Sequence, residues 1–277
     1  MNTNQIAILG SGSMGGAILA GLLASGYDAT QLRVSTKSQA SCEKHRDELG
    51  VGAYSLEHHT DANVLAVADA DVVLVAVKPA YVLEVLGEIA AHLKPGALVI
   101  SVAAGVTIAS MEAALPKSVA VIRSMPNTPA IVSRAVTGIA RGSRASGDQL
   151  NAAVALFETV GAVLVIQESQ IDALSTISGS GPAYVFYFIE ELTKAALAQG
   201  FTAEQARVMV HDTFLGASEL LASSGKSPEE LRRQVTSPNG TTMRAVAVLE
   251  EADLAGLFVK ATNAALARAK EIAAGNL

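Results

Sequence analysis

The stretch QIAILGSGSMGG, from Gln5 to Gly16, decides how the rest of the chain is read. Gln5 to Gly10 is a short apolar run of strand type, and from Met14 to Ser25 the pattern is helical. Between them, Gly10-Ser11-Gly12-Ser13-Met14-Gly15 fits G-x-G-x-x-G where that pattern carries meaning, after a strand and at the opening of a helix. The first glycine permits a tight turn, the second lets a pyrophosphate approach the backbone, and the third lets helix and strand pack closely. The helix start adds free N–H groups and a positive dipole end. Gly10, Ser11, Gly12, Ser13 and Met14 are therefore expected to line a dinucleotide site, against the plainer alternative of a glycine turn with no ligand.

Outward from that turn, strand-like runs alternate with helical ones. Strands are expected at 32–35, 51–54, 71–77, 97–102 and 119–123, with helices at 41–49, 60–68, 81–92 and 108–115 between them. The run DVVLVAV, Asp71 to Val77, is a continuous β-branched stretch of the kind buried on both faces of a parallel sheet. Two more strands, 135–140 and 162–166, flank a helix at 149–159 and finish the sheet. Such alternation predicts an α/β fold: a Rossmann-type domain of parallel strands with right-handed crossovers and helices on both faces. After Gln167 the strand signals stop, and helices are expected at 171–177, 182–199, 203–223, 228–234, 242–250 and 256–274. The change of pattern divides the chain into a dinucleotide-binding domain, 1–167, and an all-α domain, 168–277.

Composition narrows the classes of function. Of 277 residues half are hydrophobic and only 4% aromatic, with no Trp, and the net charge is -6. That balance argues against nucleic acid or an acidic membrane surface as partner, and against a base-stacking platform. One Cys excludes a disulfide framework and a multi-cysteine metal site, consistent with a reducing, cytoplasmic setting. Met1 to Tyr27 carries one charge-free run, but it lacks a basic leader and is broken by six glycines. It reads as strand, turn and buried helix rather than as a signal peptide or membrane span.

The choice of dinucleotide turns on the end of the second strand. A site for NAD places an Asp or Glu about 20 residues past the glycines to hold the ribose 2′-OH. Here that place holds Ser35-Thr36-Lys37, two hydroxyls and a cation, which favours a 2′-phosphate and hence NADPH, with NADH and flavin as alternatives. Ligands in open parallel sheets lie beyond the carboxyl ends of the strands. Ala76-Val77-Lys78-Pro79 and Val102-Ala103-Ala104 fall there and are candidate cofactor residues, as is the proline-stiffened Met125-Pro126-Asn127-Thr128-Pro129 loop. Lys78 alone equally suits a surface lysine, and Asn63 either bonds a ribose or caps a helix.

In the second half, Ser178-Gly179-Ser180-Gly181-Pro182 opens a long helix and reads as a hinge or a site wall. More telling is Val235-Thr236-Ser237-Pro238-Asn239-Gly240-Thr241-Thr242. Pro-Asn-Gly signals a turn, and the threonines are expected to cap the next helix. Hydroxyls and free N–H groups at a helix start also form an anion site suited to a carboxylate. The five histidines lack the paired spacing of a metal site, His58 and His59 read as solvated loop, and Cys42 as incidental; no metal is expected.

Pro228-x-x-Leu231-x-x-x-Val235-Thr236-Ser237-x-Asn239-Gly240-x-Thr242-x-x-Ala245-Val246-x-x-Leu249-Glu250 resembles the signature of the pyrroline-5-carboxylate reductases. The GSGSMGG, AVKP, SVAAGVT, MPNTP and SGSGPAY segments resemble that family in the same order, so the resemblance spans nearly the whole chain. One departure is Asn239, where many members carry a second glycine; Asn tolerates the same left-handed geometry. The resemblance implies NADPH-dependent reduction of L-1-pyrroline-5-carboxylate to L-proline, with NADH sometimes accepted. It also implies a dimer through the helical domain, often built up to a decamer. On that reading Thr242 faces the ring nitrogen, while Ser237, Gly240 and Thr241 hold the substrate carboxylate. Ala195, Leu197, Val208, Val210, Leu215 and Leu220 suit such an interface, though their spacing equally suits a monomeric bundle. Two alternatives stay open: a β-hydroxyacid dehydrogenase or another imine reductase, for which Lys194 lies too far along its helix, and a non-catalytic NADP sensor.

Overall fold

The computed structural model of the chain describes residues 4–273. The expected helix end at Ala274 lies outside them. Eight strands form one sheet: β1 (Ile6–Leu9), β2 (Leu32–Thr36), β3 (Gly52–Ser55), β4 (Val72–Val75), β5 (Leu98–Ser101), β6 (Ala120–Met125), β7 (Ala135–Arg141) and β8 (Gly161–Val165). Their spatial order is β3-β2-β1-β4-β5-β6-β7-β8, so the order reverses between β1 and β4. Helices α1 (Ser13–Ala24), α2 (Gln39–Leu49), α3 (Ala62–Val67), α4 (Val82–Ile89), α5 (Ile108–Ala114) and α6 (Gly147–Glu158) supply the crossovers.

The strands bury both faces. Ile6 and Ile8 of β1, Val72 and Leu74 of β4, and Leu98 and Ile100 of β5 join one apolar cluster under α1 and α6. Their neighbours Ala7, Leu9, Val73, Val75 and Val99 join a second cluster with Val82, Val85 and Leu86 of α4 and Met111 of α5. The period-two alternation of side chains makes this arithmetic obligatory once both faces are covered.

One expectation is corrected. The sheet is not wholly parallel, because β7 runs antiparallel to β6 while β8 returns parallel to β7. Only residues 126–134 separate β6 from β7. A parallel connection needs roughly a dozen residues or more, usually a helix, so the short link turns the chain straight back.

The described chain forms two compact units, one running up to Ser180 and resuming at Ala265, the other Gly181–Ala264. In the first, α7 (Glu168–Leu174) begins where the strand pattern ends and runs into a π-helical turn, Ser175–Gly179. Arg123 of β6, with its side chain 4% exposed, pairs with Asp172 at 2.6 Å and Glu168 at 3.4 Å, four residues apart on one face of α7. Glu168 also accepts a hydrogen bond from the Ile108 N–H at the start of α5.

The second unit holds α8 (Gly181–Ala198), α9 (Ala203–Ser224), α10 (Pro228–Gln234), α11 (Thr241–Glu251) and the first part of α12 (Leu254–Ala273). Ser227 and Glu230 close a capping box on α10, and Thr202 and Gln205 one on α9. Among its described residues only the hydrophobics Ala206 and Val210 are buried, while Phe186, Tyr187, Leu215, Val248 and Val259 stand exposed. Leu197, Val208, Leu215 and Leu220 of the expected interface stripe are likewise exposed, whereas Val210 points inward. No described helix is long and apolar enough to cross a membrane.

Candidate active site

The glycine turn follows β1 at the point where strand order reverses, the place where an open α/β sheet leaves a crevice. Gly10 has φ +89, and a Cβ there would approach the Ala76 carbonyl oxygen to 2.9 Å. A Cβ on Gly15 would fall onto the carbonyl oxygen of Gly10 and lie 3.2 Å from the Ala76 Cβ. Gly12 differs: nothing stands within 4 Å of where its Cβ would be. Two glycines are thus required by the protein's own backbone and the third leaves an open approach. Gly12 caps α1 without any side-chain bond, and no acidic residue occupies the first turn, so the dipole end faces the opening uncompensated. Ser11 and Met14 are half-buried and Ser13 is exposed. The cradle fits a dinucleotide's phosphates.

The end of β2 departs in detail from the expected donor set. Ser35 and Thr36 are buried, and both hydroxyl protons are engaged within the chain. Ser35 donates to Asn63 Oδ1 at 2.7 Å, and Thr36 to the Ser38 carbonyl at 2.8 Å. Asn63 in turn donates to Glu88 at 2.8 Å, so it ties β2 to α4 from inside α3 and does not cap that helix. Lys37 alone of the three is exposed. A 2′-phosphate at this corner would be met by the Lys37 ammonium and main-chain N–H groups.

Beyond β4, Ala76 and Val77 are half-buried and Lys78 and Pro79 exposed, with Lys78 preceding a short 3-10 turn begun by Pro79. Beyond β5, Val102 is half-buried, Ala103 buried and Ala104 exposed. Ala104 and Gly105 border a cavity of about 300 Å³ that Arg123, Met125, Asp172 and Thr176 also line. A larger hollow of about 580 Å³ sits around Asn4, Ile6 and Val72, at the amino ends of the strands, away from the crevice.

The proline loop expected beside the cofactor is held in place by its own Asn127. Asn127 is buried, donates to the Ser178 carbonyl at 2.9 Å and accepts from the Val136 N–H at 2.8 Å, pinning the proline loop to the SGSG segment and to β7. Arg123 escaped the sequence reading, and a lone Arg inside the apolar run AVIRSM was its visible signal. Cys42, read as incidental, is buried.

In the helical unit, Ser237, Pro238, Asn239 and Gly240 make a turn closed by a hydrogen bond from the Gly240 N–H to the Ser237 carbonyl at 3.0 Å. Pro at the second place and Asn239 at φ 61 in the third are the pattern of a type II turn. A Cβ on Gly240 would strike the Ser237 hydroxyl. The threonines do not cap the helix as expected: Gly240 is the cap, with Thr241 and Thr242 the first two helical residues. Ser237, Thr241 and Thr242 are exposed around this helix start. Asn239→Ala is expected to destabilise the protein by about 1 kcal/mol, the cost of a Cβ in left-handed geometry, while Asn239→Gly is tolerated. Equal denaturation midpoints for the two variants would contradict that assignment.

Comparison with known proteins follows the same two-part organisation. Residues 5–105 match a family model described as NADP oxidoreductase, coenzyme F420-dependent, and residues 168–272 match one described as pyrroline-5-carboxylate reductase dimerisation. The pyrroline-5-carboxylate reductase of Pseudomonas aeruginosa is 39% identical over 99% of this chain and 98% of its own. That of Escherichia coli is 34% identical over 97% and 98%. The chain belongs to the pyrroline-5-carboxylate reductase family. As a member it is an NAD(P)H-dependent oxidoreductase acting on a C=N bond. Among solved structures, a pyrroline-5-carboxylate reductase from Coxiella burnetii superposes with TM-score 0.91 at 39% identity, covering 98% of each chain. The Plasmodium falciparum pyrroline carboxylate reductase, crystallised with NADP bound, gives 0.83 at 25% identity over 99% of each.

Proposed function

We propose that this chain reduces L-1-pyrroline-5-carboxylate to L-proline with NADPH, as the final step of proline biosynthesis in the cytoplasm. The observation that carries the reading is a phosphate cradle built by Gly10, Gly12 and Gly15 in a chain that also presents Ser237, Gly240, Thr241 and Thr242 around one helix start. NADPH, when bound, supplies the hydride that adds to C5 of the cyclic imine. Gly10 to Met14 hold its pyrophosphate, Lys37 its 2′-phosphate, and the segments at Ala76–Pro79 and Val102–Ala104 flank the remainder.

The protein's part is positioning and exclusion of water, which together contribute several kcal/mol. Ser237 and Thr241 hydroxyls with the helix-start N–H groups hold the carboxylate. Thr242 is the hydrogen-bond partner of the imine nitrogen. A threonine is a poor acid unaided, so the proton arrives with a protonated imine or through water. Thr242→Ala is expected to lower kcat/KM by about 1–3 kcal/mol of transition-state stabilisation. An unchanged kcat/KM would remove Thr242 from the mechanism. The direct test follows cofactor absorbance with racemic pyrroline-5-carboxylate and NADPH or NADH. Proline formation, faster with NADPH, is expected; cofactor binding without turnover would mark a sensor instead.

The helical unit, with its exposed Phe186, Tyr187, Leu215 and Val259, is the region that pairs two copies, and the dimers assemble further to a decamer. Light scattering reads that stoichiometry.

A further inference from the structure

His45 lies on α2, and its Nε2 stands 2.8 Å from the Ser11 Oγ, in the turn between β1 and α1. Its other ring nitrogen, Nδ1, is buried and has no hydrogen-bond partner. Burial pushes the imidazole below its ordinary pKa; Lys44 adds to this, and Glu48 opposes it. The ring is therefore neutral near pH 7 and carries one proton. A proton on Nδ1 would be a buried donor with nothing to accept it, a rarer and costlier state than an idle acceptor. The proton belongs on Nε2, which donates to the Ser11 oxygen. A serine hydroxyl has one proton of its own, and with its oxygen engaged by His45 that proton is free to be donated elsewhere.

We infer that His45 is a positioning residue for the cofactor cradle: it holds the Ser11 hydroxyl as a hydrogen-bond donor to a cofactor phosphate. The inference rests on the reading of Gly10 to Met14 as a dinucleotide site. With the opposite tautomer Ser11 would spend its proton on the imidazole and present only lone pairs to an anion. His45 thus sets the polarity of one contact without touching the ligand itself.

Calorimetric titration of the full-length protein with NADP+ tests this without turnover. His45→Leu is expected to raise Kd by about ten- to a hundredfold, the worth of one charge-assisted hydrogen bond, and Ser11→Ala by a similar factor. The double variant should lose no more than either single one, because both remove the same contact. His45→Gln, whose side-chain amide can donate from nearly the same place, should stay within about twofold of the parent. Parallel titration with NAD+ locates the contact: a loss shared by both cofactors assigns it to the pyrophosphate, and one confined to NADP+ to the 2′-phosphate. Parental affinity in His45→Leu, multiplying losses in the double variant, or no rescue by Gln would overturn the inference. A parent protein that binds neither dinucleotide would instead overturn the reading beneath it.

Discussion

Gly15→Ala is expected to lower stability by about 2 kcal/mol or more and to abolish measurable NADP+ binding. The added methyl would fall on the Gly10 carbonyl oxygen, a backbone atom that cannot rotate away. Relief requires α1 to move off β1, which opens the apolar cluster holding Ile18, Leu19 and Leu22 and pulls the helix start out of line. Two neighbouring glycines separate the parts of this effect. Gly12 has open space where a Cβ would go and φ -68, so Gly12→Ala should keep full stability and lose only cofactor affinity. Gly16 would meet nothing nearer than the Ser11 carbonyl oxygen at 3.5 Å, so Gly16→Ala should be harmless or stabilising by up to about 1 kcal/mol through helix propensity. Urea denaturation and NADP+ calorimetry on the three variants check the pattern. A Gly15→Ala protein as stable as Gly16→Ala would refute the close-packing argument.

Arg123→Ala should cost about 3 kcal/mol, the lower end of the range for breaking a buried ion pair. The lower end applies because Glu168 and Asp172 keep 33% and 28% of their side chains exposed and recover some hydration. What remains is two like charges on one face of α7, turned towards a strand that no longer answers them, and an empty space in the sheet's second apolar layer. The compensating triple variant, Arg123→Met with Glu168→Gln and Asp172→Asn, should regain a large part of the loss by removing the charges together. If the triple variant is no more stable than Arg123→Ala, packing rather than charge governs the site.

Much of this was legible along the chain. Runs such as Val72–Val75 and Leu98–Ser101 announce strands buried on both faces, and the glycine spacing after β1 announces the turn, because both follow from rules spanning only a few neighbours. Pro238 and Asn239 named their own turn for the same reason. The reversal at β7 was harder, since a strand's direction depends on how much chain precedes it, and the alternating pattern reads alike either way. The Ser35 hydroxyl looked free because nothing local to β2 reveals that Asn63, on α3, accepts its proton.

The amino-acid sequence by itself determined the α/β architecture, the phosphate turn and, through its long C-terminal signature, the family. Those are properties of periodicity and of short-range backbone geometry, which each segment carries within itself. Only the tertiary structure decided which polar groups remain free to meet a ligand. Ser35 is committed to Asn63, Arg123 to α7 and His45 to Ser11, pairings between residues 28, 45 to 49 and 34 positions apart. A hydrogen bond is set by direction and distance in space, and no spacing along the chain encodes it until the sheet has folded.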